Sequence, residues 1–272
     1  DSNTSQQDDQ WRIEKRTLTD GALVSSFGTS TTPGYIVSNP SFTNIYSYDD
    51  ANSIAVDSAY MYVVGYDTSP DPAPTSSTAM NDEQWRIEKR SLATGALSYV
   101  VTSNTSSYSD QANAIAIDAA NDFMYVAGYD SALPGGFQEW RIEKRYLSSG
   151  ASVTAFGPAN DGVIVSAPST STDAKANAIA IDASYMYIGG YQYDLTAWRV
   201  EKRLLATGET VTAFGPAIDG VVTVPTTSLG GQGQAIISAI AVDATDLYVG
   251  GFDTLGPNNR AWRIEKRDKT SG

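Results

Sequence analysis

Residues 178–203 read Ala178-Ile179-Ala180-Ile181-Asp182, then after a two-residue break Tyr185-Met186-Tyr187-Ile188-Gly189-Gly190-Tyr191, then after a short linker Trp198-Arg199-Val200-Glu201-Lys202-Arg203. Each segment is short, rich in β-branched and aromatic residues, and bounded by Asp, Gly, Ser or Thr, so each predicts a β-strand. No convincing 3.6-residue period runs through the chain, and no substantial helix is expected. The first segment is apolar on both faces, which fits a strand buried on both sides. The third alternates, with the positions of Trp198, Val200 and Lys202 on one face and those of Arg199, Glu201 and Arg203 on the other.

The same three segments recur along the chain. Trp-Arg-Ile-Glu-Lys-Arg stands at Trp11–Arg16, Trp85–Arg90, Trp140–Arg145 and Trp262–Arg267, and all five tryptophans of the protein lie in these strings. The Ile-Ala strands end on Asp57, Asp118, Asp182 and Asp243, which are 61, 64 and 61 residues apart. The Tyr-rich strand recurs as Tyr62–Tyr66, Tyr125–Tyr129, Tyr187–Tyr191 and Tyr248–Phe252. A weaker element, clearest in Val153–Gly157 and Val211–Gly215, reads as a fourth strand after each Trp string.

Four strands in about sixty residues, repeated in tandem, predict the blades of a β-propeller. The expectation is an all-β protein of about four such units, a single tandem-repeat β domain over 1–272. Its repeat units run approximately over 1–50 (partial), 51–111, 112–175, 176–234 and 235–272 (partial). Blades fan apart with radius, so Ala and Gly suit the crowded inner strands and Trp and Arg the wider outer ones. An open β-solenoid is the alternative, but its repeats are usually shorter.

Strand counting adds a constraint. There are five Trp strings but four copies each of the Ile-Ala and Tyr-rich strands, so the sequence starts and stops in mid-unit. Three readings follow: a slice of a longer array, a four-bladed ring closed by strand exchange, or a surplus strand that pairs with a neighbouring subunit.

The motif set resembles the repeat of NHL-type propellers, and more closely the SBBP-like sixty-residue repeats of secreted prokaryotic proteins. The resemblance covers nearly the whole chain and implies a propeller and an extracellular or cell-surface setting. It implies no single activity, since one fold hosts many functions. The turn after the Asp departs from the usual Gly-Asn, with Ser58-Ala59 or Ala183-Ser184 in its place.

Composition removes much chemistry. The chain has no Cys and no His, so thiol nucleophiles, disulfides, zinc–thiolate sites and a Ser-His-Asp triad are excluded. A net charge of −13 repels phosphate backbones and anionic membrane surfaces. No stretch has the eighteen or so apolar residues of a membrane-spanning helix. Nucleic acid and a membrane span are therefore not expected, and no cofactor is assigned.

Charge is sorted along the repeat: the Trp strings hold 15 of the 18 basic residues, and only Lys175, Arg260 and Lys269 lie elsewhere. The strings can form a basic ring facing a partner. Structural repetition favours the plainer reading, in which Arg12, Glu14 and Arg16 form charge ladders with their counterparts between blades. Likewise Trp11, Trp85, Trp140, Trp198 and Trp262 can stack on sugars, but packing between blades explains them better, with Arg adding cation–π contacts.

Asp57, Asp118, Asp182 and Asp243 end one strand at a tight turn, and Asp67, Asp130 and Asp253 end the next, with Gln192 in the fourth copy. Calcium favours such oxygen-rich loops, yet no Asp-x-Asp-x-Asp-Gly spacing occurs, and turn capping accounts for them. No metal site is assigned. The acids outside the repeat pattern, Glu83, Glu139, Asp173 and Glu209, are the candidates for a glycosidase pair, but nothing in their setting marks a catalytic residue. Two sequons, Asn3-Thr4-Ser5 and Asn104-Thr105-Ser106, become glycosylation points if the protein is secreted. The Pro/Ser/Thr-rich segment Thr68–Asp82 reads as an exposed loop.

These readings point to a non-catalytic extracellular or cell-surface protein, structural or adhesive. Its partners would be copies of itself, in a filament or other assembly, or another surface macromolecule. A glycan-binding or glycan-cleaving propeller is the alternative.

Overall fold

The computed structural model describes residues 7–40, 46–68, 82–168, 170–192, 197–226, 233–256 and 259–272. The expected loop within Thr68–Asp82 lies almost wholly outside the described residues, as does Asn3. The chain divides into two compact units, Asp1–Ala112 and Asn113–Gly272.

The first unit contains a two-residue parallel pair, β1 (Gln7–Asp8) with β4 (Tyr46–Ser47). It also contains an antiparallel pair, β2 (Trp11–Glu14) with β3 (Tyr35–Ser38). Its four-stranded sheet runs β5 (Asp50–Val56), β6 (Tyr60–Thr68), β7 (Glu83–Ser91) and β8 (Leu97–Ser103), in sequence order. In the second unit one sheet runs β9 (Gln111–Asp118, whose first two residues precede the boundary), β10 (Phe123–Asp130), β11 (Glu139–Tyr146) and β12 (Val163–Ser166). The next runs β13 (Ala174–Ile181), β14 (Tyr185–Gln192), β15 (Ala197–Leu204) and β16 (Val221–Pro225). The last has three strands, β17 (Ala235–Val242), β18 (Asp246–Gly256) and β19 (Asn259–Asp268).

The four-stranded sheets are antiparallel meanders, and among the described residues there is no helix. This is the blade of a β-propeller repeated in tandem, as the sequence repeat predicts. The register repeats as well: Tyr66 faces Trp85, Tyr129 faces Trp140, Tyr191 faces Trp198 and Phe252 faces Trp262.

Within the second unit successive sheets stack face to face, β13 on β10 and β17 on β14. The core lies between them. Trp140, Ile142 and Phe156 pack with Ile179, Met186, Ile188 and Leu205. One repeat further, Trp198, Val200 and Phe214 pack with Ile237, Leu247 and Val249. In the first unit Trp11, Ile13 and Phe27 pack with Met61 and Val63.

A β-bulge interrupts the first strand of three sheets, between Ala51 and Ser53, between Ala176 and Ala178, and between Ile237 and Ala239. The bulge brings the main chain against the second strand. A Cβ at Gly190 would stand 2.0 Å from the Lys175 carbonyl oxygen, so only glycine fits there.

Two expectations are corrected. Val153–Gly157 and Val211–Gly215 are turns, not strands. Phe156 N–H donates to the Val153 carbonyl at 3.0 Å and Phe214 N–H to that of Val211 at 2.9 Å. Val and Phe stand three apart, which suits a turn that plugs Phe into the core, and Gly157 takes a left-handed φ of 83° to end it. The fourth strands are β12 and β16, which follow. Second, burial on both faces of the Ile-Ala strand fails in β17, where Ala239 and Ala241 are exposed, and in β5, where Ile54 is 53% and Val56 57% exposed. In this unit the Trp-string sheet beside β5 is only β2 and β3, and a groove lined by Ile13, Ala51, Ser53, Ile54 and Val63 lies between them.

Candidate interaction site at the repeat seams

The Trp string presents two faces, and each has one task. Trp, Ile or Val, and Lys point toward the following repeat. The indole N–H of Trp11 donates to the Tyr66 carbonyl at 3.1 Å, that of Trp140 to Tyr191 at 3.3 Å and that of Trp198 to Phe252 at 3.0 Å. The ring is then covered by the arginine of the next string: Arg86 lies 5.8 Å above Trp11, Arg199 5.7 Å above Trp140 and Arg263 5.0 Å above Trp198. The expected cation–π contacts are therefore present, made by the next string's arginine.

Lys89, Lys144 and Lys202 are buried with aromatic rings around their ammonium groups, whereas Lys15 is half-buried and Lys266 exposed. Lys144 lies 4.1 Å from the Phe123 ring centroid, 5.3 Å from Tyr125 and 5.7 Å from Phe156. Lys202 repeats this with Tyr185, Tyr187 and Phe214. Three of the lysines then donate to a main-chain carbonyl of the following repeat: Lys15 to Leu92 at 2.8 Å, Lys144 to Leu205 at 2.8 Å and Lys202 to Lys269 at 2.6 Å. Burial lowers the pKa of Lys144 and Lys202, with nearby Asp118 and Asp182 opposing it.

The opposite face carries the charges, and here the expectation of ladders between blades is corrected. The ion pairs run along each strand, where Glu two residues from each Arg accepts from both. Glu201 is held by Arg199 at 2.8 Å and Arg203 at 2.7 Å. Glu88, Glu143 and Glu265 are held in the same way. Residues i and i+2 share a strand face, so the pairing is local. The preceding repeat reaches this carboxylate through a hydroxyl: Ser166 donates to Glu201 at 2.8 Å and Ser38 to Glu88 at 3.2 Å. Burial alone would push the Glu201 carboxyl up, but the two guanidiniums outweigh it and hold the group below its ordinary range.

The turn aspartates behave as caps. Asp182 accepts from the Ser184 and Tyr185 N–H groups, each at 2.9 Å, and from the Tyr187 hydroxyl at 3.1 Å. Asp57 and Asp243 repeat this set, and Asp118 accepts from the Asn121 N–H and side-chain amide. In the second series Asp130 accepts from the Ala132 N–H at 3.4 Å, as a turn cap does, but the other two aspartates have a different role from the expected capping. Asp67 and Asp253 pair with Arg86 at 2.9 Å and Arg263 at 2.8 Å, on the adjacent strand, while Asp130 lies 3.7 Å from Arg141. Gln192 instead donates to the Pro168 carbonyl at 3.1 Å.

The acids outside the repeat are dispersed in function. Glu83 accepts from the Gln111 amide at 2.5 Å, Asp173 from the Gln138 N–H at 3.1 Å and Glu209 from the Thr207 hydroxyl at 3.1 Å. Glu139 is buried beside Asp130, and burial together with that neighbour pushes its carboxyl up to about 7. Among the described residues no three carboxylates converge. Asn104 is exposed, its amide donating to Asp82 at 3.0 Å.

Two features escape sequence reading. One is the bulged asparagine: Asn52 donates to the Ala112 carbonyl, Asn113 to Ala176 and Asn177 to Ile237, at 2.9–3.0 Å. The signal was its recurrence just before each Ile-Ala strand. Only the last copy departs, with Ser238. The other is the fate of the fifth tryptophan. Trp11, Trp85, Trp140 and Trp198 are at most 1% exposed, whereas Trp262 is 91% exposed and Ile264 beside it 75%. The last sheet thus displays the face that the earlier sheets bury.

No family model matches the chain, and no curated protein matches it. Among solved structures it is similar to the β-propeller domain of the Trilobed protease from Pyrococcus furiosus, described as having an open velcro topology. The identity is 8% and the TM-score 0.39. The match covers 82% of this chain and 57% of that one, and the propeller assignment rests on the sheets themselves.

Proposed function

We propose that the protein is a non-catalytic β-propeller scaffold that works at the cell surface or outside the cell and associates with copies of itself. The observation that carries this reading is the contrast at the seams. The recurring Trp, Lys, Glu and Arg side chains are spent on joining repeats, and the last sheet presents the same set with Trp262 and Ile264 open to solvent. Exposed apolar surface of this kind marks interaction sites. The secreted setting draws on the likeness to SBBP-like repeats. Light scattering on the full chain tests the association: a mass that rises with concentration is expected, and a monomer throughout overturns it.

A glycan-binding or glycan-cleaving propeller is the second reading, favoured by the Asp130–Glu139 pair, since a carboxyl raised toward neutrality can serve as a general acid. Hits on a glycan array or release of reducing sugar, lost in Glu139→Gln, would replace the scaffold reading with this one.

A further inference from the structure

We propose that β8 pairs with the β8 of a second copy, antiparallel and across a two-fold axis, so that two complete four-stranded blades join edge to edge. The proposal rests on the self-association reading above and deepens it by naming the strand that makes the contact.

The sequence makes this outer edge unlike the others. In three repeats the glycine turn after the Trp string leads into a plug that seats Phe27, Phe156 or Phe214 in the core, and the outer strand begins only after it. Ser38, Ser166 and Val224 therefore face Trp11, Trp140 and Trp198 from 26 or 27 residues further on. Before the plug there is only a lone bridge, such as Arg145 with Ser152. After Gly95 the plug is missing. Ser103 faces Trp85 from 18 residues further on, and Leu97 faces Arg90 within the same strand. Tyr99 takes the place of the plug beside the lysine, its ring 5.7 Å from Lys89, as Phe156 is from Lys144. The outer edge is thereby continuous. β8 has seven residues, where β3 and β12 have four and β16 has five.

An edge strand presents a row of main-chain N–H and C=O groups to any other strand, and proteins commonly block it with charge or proline. β8 has neither. No residue from Ser91 to Ser109 carries a charge, in a chain whose net charge is −13. The other outer strands are uncharged too, so length sets β8 apart, and β16 ends on Pro225. A bulge at Ser98 leaves Tyr99–Ser103 as the regular run. β8 is the last strand of its sheet, and among the described residues no strand is hydrogen-bonded on its other side. Val100 and Thr102 are exposed there.

This run fits itself. Set antiparallel about Val101, it brings Val101 opposite its own copy and Val100 opposite Thr102 twice. All are pairs of β-branched side chains, which suit facing positions in an antiparallel sheet. The pairing also brings two uncharged edges together, where the negative charge of each copy opposes approach least. Both copies use the same patch, so the contact is isologous and closes at a dimer.

The test uses the full chain. Light scattering is expected to show mass rising with concentration to twice that of the chain. Hydrogen exchange of the Leu97–Ser103 amides should slow in step, with β12 and β16 unchanged. Thr102→Lys puts a charge on the edge at an exposed place and is expected to raise the dissociation constant about tenfold, with the melting temperature of the monomer unchanged. The chain has no cysteine, so Val101→Cys should form a disulfide with its own copy on oxidation, and Val165→Cys, exposed on the shorter β12, should not. Association without slowing at Leu97–Ser103, or with slowing at β12 or β16 instead, or undiminished in Thr102→Lys, overturns the β8 pairing and leaves the scaffold reading standing. A monomer at every concentration overturns both.

Discussion

The indole N–H of Trp198 donates to the main-chain carbonyl of Phe252, 54 residues ahead, at 3.0 Å. The bond joins two repeats, so losing it takes this donor from a part-buried carbonyl. Trp198→Phe is expected to cost about 1–3 kcal/mol for that unmet acceptor. Trp198→Ala adds a cavity and should cost about 3–5 kcal/mol. Trp262→Ala, at an exposed site, should change stability in dilute solution by no more than about 0.5 kcal/mol. Denaturant titration of the three variants checks the contrast.

Gly189 and Gly250 occupy the same place in successive repeats but have different neighbours. A methyl at Gly189 would meet Ile240 at 2.5 Å and Ile237 at 2.8 Å, so Gly189→Ala should cost about 1–3 kcal/mol through overpacking. Gly250→Ala meets nothing within 4 Å and should be neutral or slightly stabilising, by restricting the unfolded chain. Thermal melting of both variants at low concentration decides this.

Glu201 is the buried anion between Arg199 and Arg203. Removing its charge in Glu201→Gln leaves two guanidiniums uncompensated and should cost about 3–5 kcal/mol. Its carboxyl is held below its ordinary value of 4.5, so the stability it contributes is present above that pH and is lost as pH falls through the lowered value. Urea midpoints measured from pH 6 downward should fall less steeply in the variant than in the parent.

Glu139 has the opposite sign. Burial and Asp130 raise its carboxyl from 4.5 to about 7, so the folded chain retains a proton that the unfolded chain releases. The stabilisation is full below pH 4.5 and is lost as pH rises through about 7. Glu139→Gln, which installs the residue found at Gln84, the corresponding place in the preceding repeat, should flatten this part of the profile and raise the melting temperature at pH 8 by a few degrees. An unchanged slope between pH 4.5 and 7 would contradict it.

The strands built from Ile-Ala, Tyr-rich and Trp segments are legible because each carries a local pattern repeated in register. The outer strand was missed although β3 and β12 share Ile-Val-Ser, at Ile36–Ser38 and Ile164–Ser166, because it is short and the apolar turn before it took the strand reading. The Val-x-x-Phe turn is apolar enough to imitate a strand, and only its three-residue spacing distinguishes it. The roles of Asp67 and Asp253 depend on an arginine across the ladder, which becomes visible once strand pairing is known. Least legible is Trp262, because its six-residue string is identical to those of buried copies, and burial is decided by what lies beside it.

Many of the seam bonds end on backbone: tryptophan on the carbonyl of Tyr191 or Phe252, lysine on that of Leu205 or Lys269, asparagine on that of Ala176 or Ile237. A peptide carbonyl has the same chemistry whatever residue bears it. The side chains at the receiving positions are thus free to drift, as the Leu205-to-Lys269 exchange already records. One module can then follow another without a matched partner code. Unequal recombination within the gene could duplicate, delete or reorder modules and still yield seams that fit, so length is the property such a protein can change most cheaply over evolutionary time.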